Sequence, residues 1–362
     1  MTSYGKRGRS GQSSKHRGPD GKRASTSLIE KGVLGVNWNC QIIGLLVCVI
    51  LSLPGSGLAQ EKSRFPISVA SKTVGFVPVW AAWKMGYFER EGLAVDLVLM
   101  RGAEKAAMAL VGESVNVAVG SADAFISAVE SNFNVAITAG IINRPSFFIM
   151  AKKNYKTFQD LRGATIGVTN ISSGPAVALR YVLKAKGLEY PRDYKLQPAG
   201  PDAERTMGMS AGRIDASPLA VPFNFVAEEL GFNSVGSYLE VIPDYQVSVF
   251  AVHRSWAERN RRQIVQFKRG MVRAMRWFFD NRESAVDFVA KELKLKPEYA
   301  RRGYDFYKEK GLWDANTQLN IAGMKTTIAI YNETNPPKPA TVPEKYIDQS
   351  FLSEALKGLG AR

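Results

Sequence analysis

Residues 65–100 read FPISVASKTVGFVPVWAAWKMGYFEREGLAVDLVLM, and this stretch decides the fold. Alternating apolar residues over 67–69 and 95–99 predict two strands. Pro78 suits the first turn of a helix between them, because the N–H that proline lacks would have no partner there. Gly86 can take the left-handed conformation that ends a helix. The order strand, helix, strand predicts a parallel βαβ unit with a right-handed crossover.

The turn of this unit, residues 71–77, follows a strand and precedes a helix. Ligands of open α/β sheets bind at the carboxyl ends of the strands, and free N–H groups at a helix start favour anions. We therefore expect this turn to form part of a binding site.

The same order of elements occurs twice along the chain: strand, polar turn, helix, glycine, strand, turn, helix, glycine, strand, turn. Sequence identity between the two rounds is low, so the repeat is one of architecture. The later elements that we predict are a helix over 104–112 and a strand over 115–119 in the first round, and in the second round a strand over 165–168, a helix over 176–185, a strand over 194–197, a helix over 202–211 and a turn over 217–222.

This pattern predicts an α/β protein with two lobes, each a mostly parallel sheet flanked by helices, with both sets of turns around one cleft. Two apolar strands, Pro145–Lys152 and Tyr245–His253, are interpreted as crossings between the lobes. We expect the first lobe to contain 60–148 and 248–362, and the second to contain 149–247. Residues after 253 are predicted to be largely helical, and an apolar stripe from Ile264 to Phe278 predicts core packing.

Residues 1–59 have the pattern of a secretory signal peptide with a long basic region. Eight basic and two acidic side chains precede the apolar run 42–53, and Gly57 and Ala59 predict cleavage after Ala59. The alternative is a membrane anchor, but the run is shorter than the ~20 residues that a span needs. We therefore expect export to the periplasm.

Composition excludes several classes of function. Eight of the 48 basic and two of the 33 acidic side chains precede residue 60, which leaves a net charge of +9 on 60–362. That segment has no run of like charges or nucleic-acid motif, so we expect no nucleic-acid partner. Cys40 and Cys48 lie in the predicted signal peptide, which excludes disulfides and a cysteine nucleophile from the exported chain. Its only histidine, His253, is interpreted as structural, so we expect no metal, cofactor or catalytic residue.

Four phrases in combination carry a family resemblance: GFVPVWAAWKMGYFEREGL at 75–93, VNVAVGSADA at 115–124, DLRGATIGV at 160–168 and GRIDA at 212–216. With them, the chain resembles the periplasmic substrate-binding proteins of the nitrate/sulfonate/taurine class of ABC importers. That class shares its fold with binders and synthases of a thiamin pyrimidine precursor. The resemblance implies a two-lobed type II binding-protein fold that closes on a small ligand. It further implies a monomer whose partners are an inner-membrane permease and its ATPase.

The resemblance places ligand contacts on matching turns, where small residues let backbone amides approach and hydroxyl or amide side chains orient a ligand. In the first lobe these residues are Thr73, Gly75, Phe76, Arg101, Gly102, Ala103, Gly120, Ser121 and Ala122. In the second they are Thr169, Asn170, Ser172, Ser173, Pro218 and Leu219.

The class of ligand stays open at this point. Arg101 and Arg144 would suit a sulfonate, nitrate or carboxylate, because a guanidinium binds such anions through two parallel hydrogen bonds. Phe76, Trp80 and Trp83 could instead form an aromatic wall for a pyrimidine or another aromatic compound.

Two other functions share this fold. A pyrimidine-precursor synthase needs several histidines and a cysteine-rich segment. The predicted exported chain has one histidine and no cysteine, so we expect that it is not an enzyme. A secreted sensor subunit would use the same cleft as an importer subunit, and the sequence does not separate the two.

Overall fold

The computed structural model describes residues 63–335 and 342–360. These form two mixed five-stranded sheets flanked by helices, which confirms the predicted α/β class. The predicted signal peptide and its cleavage site lie outside the described residues. No helix within the described ranges is both long and apolar enough to cross a membrane.

The first sheet has the strand order β2-β1-β3-β10-β4. Strand β1 pairs in parallel with β2 and β3, and Ile67 lies opposite both Leu97 and Val117. Strand β10 runs antiparallel to β3 and β4. The strands are β1 (Ser63–Val69), β2 (Leu93–Leu99), β3 (Val117–Ser121), β4 (Val135–Ile142) and β10 (Ser248–His253).

The second sheet repeats this arrangement, in the order β7-β6-β8-β5-β9. Strand β6 is parallel to β7 and β8, and β5 is antiparallel to β8 and β9. The predicted repetition of architecture is therefore confirmed. The strands are β5 (Phe147–Ala151), β6 (Thr165–Val168), β7 (Lys195–Pro198), β8 (Ala216–Ala220) and β9 (Asn233–Ser237).

The two strands predicted to cross between the lobes each belong to one sheet. Strand β5 lies wholly in the second sheet and β10 wholly in the first, so the chain passes between the sheets before each of them, over 143–146 and 238–247. The lobe limits at 148/149 and 247/248 stay a prediction.

The helices cover the faces of both sheets. Helix α1 ends where expected, with Gly86 in the left-handed region at φ 73°. The helices are α1 (Val77–Lys84), α2 (Tyr87–Arg90), α3 (Ala103–Val111), α4 (Ala122–Glu130), α5 (Gly174–Ala185), α6 (Asp202–Ser210), α7 (Phe223–Glu229), α8 (Arg254–Arg259), α9 (Arg261–Asp280), α10 (Arg282–Leu293), α11 (Pro297–Glu309), α12 (Ile321–Thr334) and α13 (Ser350–Lys357). Short 3₁₀ helices lie at Val74–Phe76, Gln159–Leu161, Tyr238–Glu240 and Pro343–Lys345.

Packing confirms the predicted apolar stripe of α9. Ile264, Phe267, Met271 and Phe278 are fully buried, and Phe267 stacks on Phe88 with ring centroids 5.0 Å apart. This helix therefore covers the first sheet with its apolar side.

The predicted turn over 217–222 was wrong. Residues 216–220 form β8, in which Pro218 lies opposite Ile149 of β5. A proline seldom occupies a strand interior because it has no N–H to donate, and proline is typical of turns. Pro218 and Leu219 are therefore strand residues, and Leu219 is fully buried beside Met150.

Candidate functional site

A cavity of about 430 Å³ lies where the carboxyl-end edges of the two sheets meet. Its lining comes from the segments after β1, β2, β6 and β7, and from the starts of the antiparallel strands β5 and β10. Its volume falls in the range of small-molecule pockets. The two sets of turns thus surround one cavity, as the sequence predicted.

The first sheet contributes six of the predicted residues to the cavity lining. Thr73 and Phe76 follow β1 and are almost fully buried. Arg101 and Gly102 follow β2, and Ser121 ends β3. Ala103, the first residue of α3, lines the cavity beside them.

The second sheet contributes two more. Thr169 follows β6, and Ser173 precedes the first residue of α5. The Ser173 hydroxyl donates to the backbone carbonyl of Asn170 at 2.8 Å, which holds the turn between them.

Eight of the predicted residues do not line this cavity, and their surroundings show why. Gly75 packs against Tyr307, and the N–H of Ala122 donates to the Val247 carbonyl. Arg144 lies on another part of the surface, 3.6 Å from the carboxylate of Asp244. The eight are Gly75, Gly120, Ala122, Arg144, Asn170, Ser172, Pro218 and Leu219.

The aromatic wall also differs from the expected one. Phe76 lines the cavity, but Trp83 donates from Nε1 to the Val95 carbonyl at 2.9 Å, and Trp80 packs against it. The cavity instead takes Phe147 from β5 and Phe223 from α7. Its aromatic surface therefore comes from both sides of the cavity, with Tyr307 of α11 as the fourth ring.

Arg205 of α6 lines the cavity and was missed by the sequence reasoning. Its side chain is 2% exposed, and all five guanidinium N–H groups donate hydrogen bonds. Because no donor is left over, Arg205 fixes the turns around it and has no hydrogen bond to offer a ligand. Its acceptors are Ser217 Oγ at 2.9 Å, Thr169 Oγ1 at 2.8 Å, the carbonyls of Gly200 and Pro218 at 2.7 and 2.9 Å, and Asp202 Oδ1 at 2.9 Å.

In contrast to Arg205, two buried hydroxyls of the cavity wall lack well-placed hydrogen-bond partners among the residues that the structure describes. Neither Ser121 Oγ nor the Tyr307 hydroxyl makes a hydrogen bond of normal geometry with a described residue, although Asp123 lies near the first and Ser146 near the second. Buried polar groups without partners are rare in native proteins, so these two hydroxyls need a better-placed partner than these neighbours supply. Tyr307 comes from α11, and no local sequence pattern singled it out.

Two carboxyl groups lie together at the side of the cavity. Burial, and then the charge of Glu104, raise the pKa of the Asp123 carboxyl to about 7. Asp123 lies in the first turn of α4 and directly against Gly174, at the start of α5 on the second-sheet side. Asp123 therefore lies where the two halves of the cavity wall meet.

The described residues contain no group of three or more histidine, cysteine, aspartate or glutamate side chains that could hold a metal. His253 does not line the cavity; its Nε2 lies 3.8 Å from the Glu113 carboxylate. The cavity therefore offers hydroxyls, backbone amides and a few charges, which can bind and orient a molecule.

A profile of the NMT1-like family matches residues 61–291. The chain belongs to the NMT1-like family. This member is 22% identical over 270 residues to a candidate binding protein, YtlA, of Bacillus subtilis (strain 168), across 72% of this chain and 81% of that protein.

Solved structures share the fold of this NMT1-like protein. The periplasmic nitrate-binding protein NrtA from Synechocystis PCC 6803 matches with a TM-score of 0.68 and 15% identity, over 83% of this chain and 89% of that one. The periplasmic aliphatic sulphonate binding protein SsuA from Escherichia coli matches with a TM-score of 0.62 and 17% identity, over 80% and 99%. The fold is therefore that of the periplasmic binding proteins, as expected.

The same fold also occurs in an enzyme. The desulfurization enzyme DSZB matches the NMT1-like chain with a TM-score of 0.61 and 13% identity, over 82% of this chain and 100% of that one. Fold alone therefore does not separate binding from catalysis, and the residues that line the cavity must distinguish the two functions.

Proposed function

We propose that this NMT1-like protein is the secreted solute-binding subunit of an ABC importer, which holds a small organic molecule between its two lobes without transforming it. The observation that carries the proposal is the cavity between the sheet edges, with the unpaired hydroxyls of Ser121 and Tyr307 in its wall. Similarity in fold to periplasmic sulphonate-binding and nitrate-binding proteins supports it. The partners would be an inner-membrane permease and its ATPase.

The proposed ligand carries an acidic group. Arg101 lines the cavity and forms no ion pair with any described residue, so its guanidinium is free to bind a carboxylate or sulfonate through two hydrogen bonds. A cavity of about 430 Å³ with Phe76, Phe147 and Phe223 in its wall is larger and more apolar than nitrate requires. These features favour an organic anion, and an aromatic compound or pyrimidine is the alternative.

Native mass spectrometry of the protein purified from the periplasm tests the proposal. We expect one small molecule to be retained, with reversible binding in the micromolar range because transport requires release. A protein that stays in the cytoplasm, or that converts the molecule into a product, would contradict the proposal.

Arg101→Ala tests the acidic group. Loss of a charge-assisted hydrogen bond costs about 1.5–3 kcal/mol, so we expect the dissociation constant of the retained molecule to rise about 10- to 100-fold by calorimetric titration. Arg213→Ala, an exposed arginine outside the cavity lining, is the matched control. Equal affinity of the Arg101 variant and the wild type would exclude the anion contact.

A sensor subunit would have the same cavity. Uptake of the labelled compound separates the two roles. Deletion of an importer subunit abolishes this uptake, whereas deletion of a sensor subunit leaves uptake intact and changes the response of the cell to the compound.

A further inference from the structure

Three basic and three acidic side chains line the cavity, but they differ in whether a protein group already pairs with them. The basic ones are Lys72, Arg101 and Arg205, and the acidic ones are Glu104, Asp202 and Glu204. A charge that is already paired has little to offer a ligand, so the unpaired ones decide which molecule fits.

Two of the three basic groups are already engaged. Arg205 has no free N–H, because all five of its N–H groups donate to protein acceptors. Lys72 lies 2.7 Å from the carboxylate of Glu292 and over the ring of Trp80. Arg101 is thus the one cavity-lining cation, among the described residues, that has no protein partner.

The acidic groups are less engaged. Asp202 Oδ1 accepts from Arg205 and from the Ala220 N–H. Glu104 and Glu204 form no ion pair or hydrogen bond with any residue in the described ranges. One follows β2 and the other follows β7, so each sheet contributes one unpaired carboxylate to the same cavity.

Closure on a purely anionic molecule would leave both carboxylates unpaired as water leaves the cavity. Desolvating an unpaired charge costs several kcal/mol, and like charges in one cavity repel. A cation between them removes both costs. Asp123, behind Glu104, increases the negative charge on that side whenever it is ionised.

We propose that the ligand is an organic zwitterion whose acidic group contacts Arg101, whose protonated amine contacts Glu104 and Glu204, and whose apolar body lies against Phe76 and Phe147. This proposal rests on the proposed binding function. It excludes inorganic anions and simple carboxylates or sulfonates as the main ligand.

The test begins with the composition of the molecule that the wild-type protein captures from cell extract, determined by liquid chromatography and mass spectrometry. A compound that carries both a basic nitrogen and an acidic group supports the zwitterion, and an acid without basic nitrogen overturns it. Capture of nothing refutes the binding function itself, so the two failures are distinguishable.

Affinity measurements on variants complete the test. The double variant Glu104→Gln/Glu204→Gln should bind the captured compound at least tenfold more weakly, and N-acetylation of the compound should weaken wild-type binding similarly. Glu298→Gln, an exposed glutamate outside the cavity, should bind as the wild type does. Equal binding by the double variant and the control, with unchanged melting temperatures, would overturn the amine contact.

Discussion

Replacing Arg205 with methionine tests whether this cavity-lining arginine stabilises the fold. The substitution keeps an unbranched side chain of similar length and removes five hydrogen bonds at once. It leaves the Asp202 carboxylate, which is 15% exposed, with only the Ala220 N–H as partner among the residues that the structure describes. The carbonyls of Gly200 and Pro218 lose this donor as well.

The magnitude follows from this geometry. Removing one partner of a buried ion pair costs about 3–5 kcal/mol, because the remaining charge is desolvated without compensation. That is a large part of the 5–15 kcal/mol by which proteins of ordinary stability stay folded. Arg205→Lys keeps the charge but supplies fewer donors, so we expect it to recover only part of the loss.

Urea unfolding followed by tryptophan fluorescence measures the loss. We expect the midpoint of Arg205→Met to fall while the dependence of the unfolding free energy on urea stays the same. Arg213→Met, at an exposed site, should change stability by no more than about 0.5 kcal/mol. A loss below about 1 kcal/mol for Arg205→Met would refute the argument that this guanidinium organises the turns.

Two further predictions concern pH. The pKa of Asp123 is raised to about 7 from 3.8, so the folded protein binds more protons between these values. Its contribution to stability is lost as the pH rises from about 4 to 7, and Asp123→Asn should remove that part of the wild-type pH profile of unfolding. Lys268 is fully buried and donates to Thr138 Oγ1 at 2.6 Å, and burial lowers its pKa well below the ordinary value. The unfolded chain then binds one proton more, so the unfolding free energy should rise by up to about 1.4 kcal/mol per pH unit toward pH 10.4. Lys268→Met should be more stable than the wild type at pH 7, and a penalty there would contradict the burial argument.

The opening βαβ unit could be predicted because its determinants are local. Pro78 near a helix start and Gly86 just after the helix end restrict the backbone wherever they occur, and the alternation over 95–99 requires a half-buried strand. The same holds for the turns that carry Thr73 and Ser173, which reach the cavity from the two sheets.

Predictions failed where partners distant in sequence decide the structure. Ser217 and Pro218 look like turn residues, but pairing with β5 holds them in a strand. Strand β4, residues 135–142, was not predicted, because a strand buried on both faces shows no alternation of polar and apolar residues.

Tyr307 shows why the cavity could not be completed from sequence. Helix α11 buries Tyr299, Tyr304 and Tyr307, and nothing in the spacing of these tyrosines distinguishes the one that reaches the cavity. What distinguishes Tyr307 is its position against Gly75, since both Tyr304 and Tyr307 contact the ring of Trp313, with centroids 5.8 and 4.8 Å away. Trp313 in turn donates to the Gly75 carbonyl at 3.1 Å, which ties the helix to the turn after β1.

The two arginines of the cavity differ in the hydrogen-bond donors that they can offer a ligand. By residue type, Arg101 and Arg205 are equivalent anion-binding candidates. Arg205 is surrounded by acceptors from three chain segments, so a ligand anion would have to displace hydrogen bonds that hold the second sheet's turns together. Arg101 has no such partners and sits in the left-handed region at φ 51°, which turns the chain beside the cavity mouth. Available hydrogen-bond donors, more than the count of basic residues, therefore identify Arg101 as the group through which this cavity can recognise an acid.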